Sequence, residues 1–202
     1  MNQSATYAPS SHQRRLLLVS TGAVGGIGLI AAAVPFVESM APNDAVRSMG
    51  APEEADLSKV SLGALMTVAW RGKPVWIVHR TEPMLALLGK HDDRLRDPRS
   101  EQRQQPVYAK NATRSIKPSF LVAVGICTHL GCIPTYRPEA GGAPQLGADW
   151  PGGFLCPCHG SRFDLAGRVF KNVPAPLNLE VPAHEYLSDT RLLIGQDSHT
   201  GK

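Results

Sequence analysis

The stretches Cys127-Thr128-His129-Leu130-Gly131-Cys132 and Cys156-Pro157-Cys158-His159-Gly160-Ser161 hold all four cysteines of the chain and two of its seven histidines. Cysteine gathered into two tight groups serves a local purpose. Each box offers one cysteine and one histidine, as C-x-H in the first and C-x-x-H in the second. If the two loops face each other, two soft thiolates and two imidazoles meet at one locus. A structural zinc ion takes the same donor set. Zinc fingers, however, group cysteine with cysteine and histidine with histidine, whereas each box here mixes the two. A closed zinc site would also leave Cys132 and Cys158 without a purpose.

Outward from the boxes, the chain reads as β-rich. It has 202 residues, enough for one domain of ordinary size and a small appendage. Its 19 glycines and 17 prolines point to a turn-rich, strand-based fold and away from a helical bundle. Alternating or β-branched runs lie at Leu65 to Trp70, Pro74 to His79 and Phe120 to Ile126. A late pair lies near His184 to Leu187 and Arg191 to Ile194, across Ser188-Asp189. Residues 80 to 118 form an insertion rich in Arg, Asp, Gln and Pro. It holds one short helix candidate that opens at Thr81 and Pro83 and carries Leu85, Leu87 and Leu88. The expected fold is mainly β: an antiparallel head over 57–202, with the metal-binding part at about 125–177. The net charge of +4 is scattered, with no aromatic-flanked basic cluster of the kind that binds nucleic acid.

Leu16 to Val37 is 22 residues without a charge, which as a helix spans roughly 33 Å, the thickness of a bilayer core. A cleaved secretory signal has a shorter apolar region, about 7 to 15 residues, and a small-residue cleavage site. Ser39-Met40-Ala41 could serve as one, but Pro42 follows immediately. We read 16–37 as a single transmembrane anchor and 1–15 as a cytoplasmic N-terminus. Arg14 and Arg15 precede the span while Glu38 and Asp44 follow it, which places the head on the outer side of the inner membrane, in the periplasm. Arg14-Arg15 before Leu16-Leu17-Leu18 looks like a twin-arginine export signal, and an ordinary basic flank is the plainer reading of the same pair. Gly22 and Gly26 make a small-xxx-small face suited to packing on another membrane helix. Residues 38–56 are small, polar and Pro/Gly-containing. They read as a tether or hinge, or equally as an ordered loop packed on the head.

The two boxes, C-T-H-x-G-C and C-P-C-H-G-S, resemble the signature of the Rieske iron-sulfur family, whose 2Fe-2S centre carries two histidines on one iron. The resemblance implies one 2Fe-2S cluster. It implies that Cys127 and Cys156 bind one iron, that His129 and His159 bind the other, and that a Cys132–Cys158 disulfide ties the loops. Ser161 matches the family's hydrogen-bond donor to a bridging sulfide, and Leu130, Phe163 and Pro174 are implied to line the cluster. Two neutral imidazoles in place of two thiolates leave a cluster less negative, which raises its potential toward quinol chemistry. Each ligand histidine also has a ring nitrogen to spare, so His129 and His159 are the expected contacts for a quinol that must lose protons with its electrons.

Pro174-Ala175-Pro176-Leu177-Asn178-Leu179 is similar to the proline segment that covers the cluster in quinol:cytochrome c reductases, the cytochrome bc complexes. Tyr108 to Asn111, Arg114-Ser115 and Ala55 to Ser58 are similar to that branch as well. The branch implies ubiquinol, cytochrome b and cytochrome c1 as partners, a homodimeric complex, and a head that moves between donor and acceptor. A linker of about 16 residues reaches roughly 20 Å as a coil. The other readings are the Rieske small subunit of an exported molybdenum oxidase such as arsenite oxidase, and a zinc-stabilised interaction domain. Two positions depart from the pattern. Val173 stands where many relatives have Gly, and Phe163 stands where many have a Tyr whose hydroxyl donates to a ligand cysteine sulfur.

Overall fold

The computed structural model describes residues 10–42, 50–141 and 146–198, and these divide into an N-terminal unit and a head. In the first unit, helix α1 spans Ser11–Ser39, longer at both ends than the uncharged core. Ser10 caps it: its hydroxyl accepts from the Gln13 backbone N–H while its own N–H donates to Oε1 of Gln13 at 3.0 Å. Mean hydropathy over its most apolar 18 residues is 2.1, so α1 is long and apolar enough to cross a membrane.

The head is mainly antiparallel β. Its strands are β1 (Glu53–Asp56), β2 (Leu65–Trp70), β3 (Lys73–His79), β4 (Phe120–Val124), β5 (Thr135–Arg137), β6 (Gly153–Leu155), β7 (Arg162–Asp164), β8 (His184–Tyr186) and β9 (Arg191–Ile194). Among the described residues they form three three-stranded sheets, in the orders β1-β9-β8, β2-β3-β4 and β5-β6-β7. The expected runs thus appear as β2, β3, β4 and the β8–β9 pair. The short helix appears as α2 (Glu82–Leu88), with Thr81 as its N-cap.

One boundary needs correction. The head begins before residue 57, because Glu53 to Asp56 pair with Ile194 to Arg191 and Ala55 is buried beneath them. A four-residue edge strand with one apolar side chain has no periodicity to read. Ser39 belongs to α1, and positions 43–49 of the expected tether lie outside the described residues.

The β2-β3-β4 sheet is the middle layer. Val75, Ile77, Val122 and Val124 face one core with Leu57, Trp70, Leu192 and Ile194. The alternate residues, Trp76, Val78, Leu121 and Ala123, face a second core that contains Cys127, Cys156, Phe154 and Phe163. Successive side chains of a strand point to opposite faces, so both faces of this sheet are buried. The register follows from the β2–β3 turn, where Arg71 and Gly72 both have positive φ (51° and 72°), the geometry of a two-residue hairpin. Trp76 lies flat on Phe154, with ring centroids 4.9 Å apart. It also fills the space beside Gly125, where a Cβ would overlap the indole.

The 80–118 insertion is bound to the head by three buried arginines. Arg80 donates to the carbonyls of Pro118, Thr113 and Leu165 and to the Ser115 hydroxyl. Arg114 donates to the carbonyls of Ala166, Gly167 and Leu179. Burial pulls both guanidinium pKa values down to about 10, which leaves them charged at neutral pH. Arg168 pairs with the buried Asp164 and reaches Asp92 and the Leu88 carbonyl.

At the far end of the head His184 is buried, its Nδ1 2.8 Å from the Pro182 carbonyl and its backbone N–H donating to the Tyr108 hydroxyl. Burial pushes this imidazole below its ordinary range, against the pull of Pro182 and Asp197. The unfolded chain therefore takes up a proton near the ordinary imidazole pKa of about 6.5 before the folded head does. This contribution to stability is complete above that pH and is lost as the pH falls toward the depressed folded value. Thermal midpoints measured against pH should decline just below about pH 6.5, and His184→Phe should flatten that part of the curve. Parallel curves for the two proteins would refute this origin.

Candidate metal centre

The two boxes fold as one loop used twice. In the first, the Cys127 N–H donates to the Cys132 carbonyl (2.7 Å) and the Gly131 N–H to the Cys127 carbonyl (3.0 Å). In the second, the Cys156 N–H donates to the Ser161 carbonyl (2.8 Å) and the Gly160 N–H to the Cys156 carbonyl (3.0 Å). The fifth residue of each is a glycine at positive φ, 82° at Gly131 and 73° at Gly160, where a side chain would be strained. The first loop follows β4, and the second sits between β6 and β7. Their cysteines converge under the middle sheet.

Cys127 and Cys156 are buried in the same core. The rings of His129 and His159 meet edge to face with centroids 4.8 Å apart. His129 is half-buried and His159 exposed. A disulfide joins Cys132 to Cys158, the sixth residue of one loop to the third of the other. That bond occupies the place in the second loop equivalent to His129, so the second histidine comes one residue later. Burial pushes the Cys127 thiol up, opposed by the His129 backbone N–H, reinforced by the Cys156 thiol and opposed again by the Ser161 hydroxyl. Two buried sulfurs and two imidazoles at a surface edge are the donor set of a cluster with mixed ligation, so the residues fit a 2Fe-2S group.

The remaining expected residues take three kinds of position. Ser161 is fully buried, and its Oγ accepts from the Ala175 N–H at 3.0 Å. Phe163 is fully buried in the core that holds Cys127 and Cys156. Leu130 stands 71 % exposed beside the histidines, and Pro174 is exposed on the proline segment. Val173 packs into the core, and the left-handed residue of its turn is Asn172 (φ 59°), so the chain needs no glycine at 173.

Sequence reasoning missed what holds the proline segment. The Thr128 hydroxyl donates to the Leu177 carbonyl at 2.6 Å, Arg96 reaches the Val173 carbonyl, and the Asn178 side chain accepts from the Val169 N–H and donates to the Asp97 carbonyl. Each box thus grips the segment once, through Thr128 and Ser161. Thr128 lies inside the box and Asn178 inside the proline motif, but nothing in either motif says which backbone group each will meet.

A model described as "Rieske [2Fe-2S] domain" matches residues 97–183, and one described as "Ubiquitinol-cytochrome C reductase Fe-S subunit TAT signal" matches residues 4–43. The chain is 63% identical over 185 residues to the ubiquinol-cytochrome c reductase iron-sulfur subunit of Allochromatium vinosum, covering 92% of this chain and 89% of that one. This chain belongs to the family of Rieske iron-sulfur subunits. The subunits of Bradyrhizobium diazoefficiens and Rhodospirillum rubrum are each 39% identical to it, over 95% of this chain and 99% and 96% of theirs. Rieske proteins carry a 2Fe-2S cluster, and the paired loops bring together donors of the kind such a cluster takes.

The grip on the proline segment can be tested. Thr128→Val keeps the shape of the side chain and removes its donor, which should cost about 1 kcal/mol. It should also speed loss of the visible absorbance of the cluster on incubation with a chelator. An unchanged thermal midpoint together with an unchanged bleaching rate would refute the role of this bond.

Proposed function

We propose that this chain is the electron-transfer subunit of a ubiquinol:cytochrome c oxidoreductase and works only within that complex. It would accept one electron from ubiquinol at cytochrome b and pass it to cytochrome c1, as part of proton translocation in a respiratory chain. The observation that carries this reading is the pairing of two like-folded loops that set two buried cysteines behind two imidazoles at the protein's edge. The ligands in this reading are Cys127 and Cys156 on one iron and His129 and His159 on the other.

The cluster, when bound, takes up and gives away a single electron. The chain's residues do the rest. His129 and His159 orient the quinol, and the ring nitrogens that ligation leaves free accept its proton. Exposed Leu130 and Ile133 give the edge around the histidines an apolar surface on which a hydrophobic donor site can close and exclude water. The proline segment, gripped by Thr128 and Ser161, keeps solvent from the cysteine side. Helix α1 would anchor the chain once in the inner membrane with the head in the periplasm. The segment joining Ser39 to Glu53 would carry the head between its two partners in a homodimeric complex.

Two measurements test the reading. Protein purified from its own membranes should bring cytochrome b and cytochrome c1 with it, whereas a molybdenum subunit in their place would point to the oxidase reading. The reduced protein should give the electron paramagnetic resonance signal of a 2Fe-2S cluster, and His159→Ala should abolish it, since no neighbouring side chain replaces the lost ligand. A variant with full signal and full quinol oxidation would overturn the ligand assignment.

Phe163 bears on the potential. Hydrogen bonds to cluster sulfurs draw off electron density and ease reduction, and a phenylalanine supplies none. Phe163→Tyr should therefore raise the reduction potential measured by protein electrochemistry at fixed pH. A lower or equal potential, with the new hydroxyl bonded to Cys127 Sγ, would show the reasoning wrong.

A further inference from the structure

Three of the four sulfurs crowd together in a way that ligation does not use. Sγ of Cys132, Cys156 and Cys158 all lie within 4.8 Å of one another. A metal held by all three is excluded by bonding, since Cys132 and Cys158 are already joined and disulfide sulfurs are not thiolates. What the arrangement does provide is a thiol facing a disulfide. We propose that Cys156 attacks the Cys132–Cys158 bond whenever the cluster is lost, and that this internal exchange closes the site against reloading. The inference rests on the assignment of Cys156 as a cluster ligand, because only ligation then keeps its sulfur occupied.

The step balances without an added oxidant. Cys156 gives up its proton and its sulfur bonds to Cys132 Sγ; the Cys132–Cys158 bond breaks, and Cys158 leaves with the electron pair and takes up a proton. One disulfide and two thiols are present before and after. The direction follows from position. Attack on Cys158 would close a ring across Pro157 within one short loop, whereas Cys132 belongs to the opposite loop, so a Cys132–Cys156 bond keeps the loops tied. Cys158 is exposed and its thiolate is hydrated on leaving, while Cys132 is half-buried. Cys127 remains a thiol throughout.

The product has lost one of its four donors while remaining folded and cross-linked. The reaction therefore orders assembly: a cluster put in before the disulfide forms meets four free donors, and one put in afterwards competes with the exchange.

The full-length holoprotein is incubated with a chelator without oxygen and sampled as its visible absorbance falls. Free thiols are blocked with iodoacetamide, and the protein is digested at acid pH without reductant for mass spectrometry. Fragmentation within the peptide that holds both Cys156 and Cys158 shows which of the two is alkylated. The expected result is a Cys132–Cys156 link that grows in step with bleaching, with Cys158 alkylated in equal yield, and an intact Cys132–Cys158 link in unbleached protein. Fully bleached protein with Cys132–Cys158 intact and Cys156 alkylated overturns the proposal. Cys156→Ser separates this from the ligand assignment. If the variant keeps the cluster absorbance, the assignment fails. If it lacks the cluster and its Cys132–Cys158 bond is no longer intact, the exchange proposal fails, because the nucleophile has been removed.

Discussion

A carboxylate with no surface in water stays charged only if the protein supplies its hydrogen bonds, and Asp164 is such a group. Burial alone would raise its pKa, but His91 and Arg168 more than offset this and hold it below the ordinary carboxylate range. It accepts from the backbone N–H groups of Ala166 and Arg168 and from Arg168 Nε. Asp164 ends β7, the strand that leaves the second box. The turn it organises presents the Leu165, Ala166 and Gly167 carbonyls to Arg80 and Arg114. Through Arg168 the same turn holds Asp92 and the Leu88 carbonyl at the foot of α2. Replacing one member of a buried ion pair typically costs about 3–5 kcal/mol, so the second box, the insertion and the helix stand or fall together.

The strands with a clear alternating pattern were legible. Leu65 to Trp70 and Arg191 to Ile194 read directly as strands because a buried face repeats every second residue, and the three-residue β8 was legible only through its place across the Ser188-Asp189 turn from β9. The three-residue strands β5, β6 and β7 were not, since three residues carry no period and their pairing is set by the loops around them. β1 hid behind two glutamates and an aspartate. The boxes stood out as motifs, because metal chemistry restricts both residue type and spacing, and the disulfide that the resemblance implied joins them. The arginine network was invisible for the opposite reason: in a segment rich in Arg, Asp and Gln, nothing local distinguishes a buried guanidinium from a solvated one. Arg114 sits at φ 49°, a backbone geometry that no feature of its neighbours announces.

The middle sheet makes the metal centre a shared responsibility. Val75 and Ile77 belong to the core away from the loops, while their neighbours Trp76 and Val78 belong to the core beneath them. A slip of one residue between β3 and β4 would exchange the contents of the two cores.

Trp76 adds a constraint of a different order. Gly125 has no left-handed backbone to justify a glycine; its reason is the indole that occupies the place of a side chain, two residues before Cys127. Trp70 also fills the space beside Gly195, but there the backbone itself is left-handed (φ 98°) and strains a side chain whatever faces it. Trp76 and Gly125 therefore form a single unit of inheritance. Across diverging descendants of this chain, an alanine at 125 becomes admissible only in lineages that have already exchanged the facing tryptophan for a smaller residue. The two positions should change together.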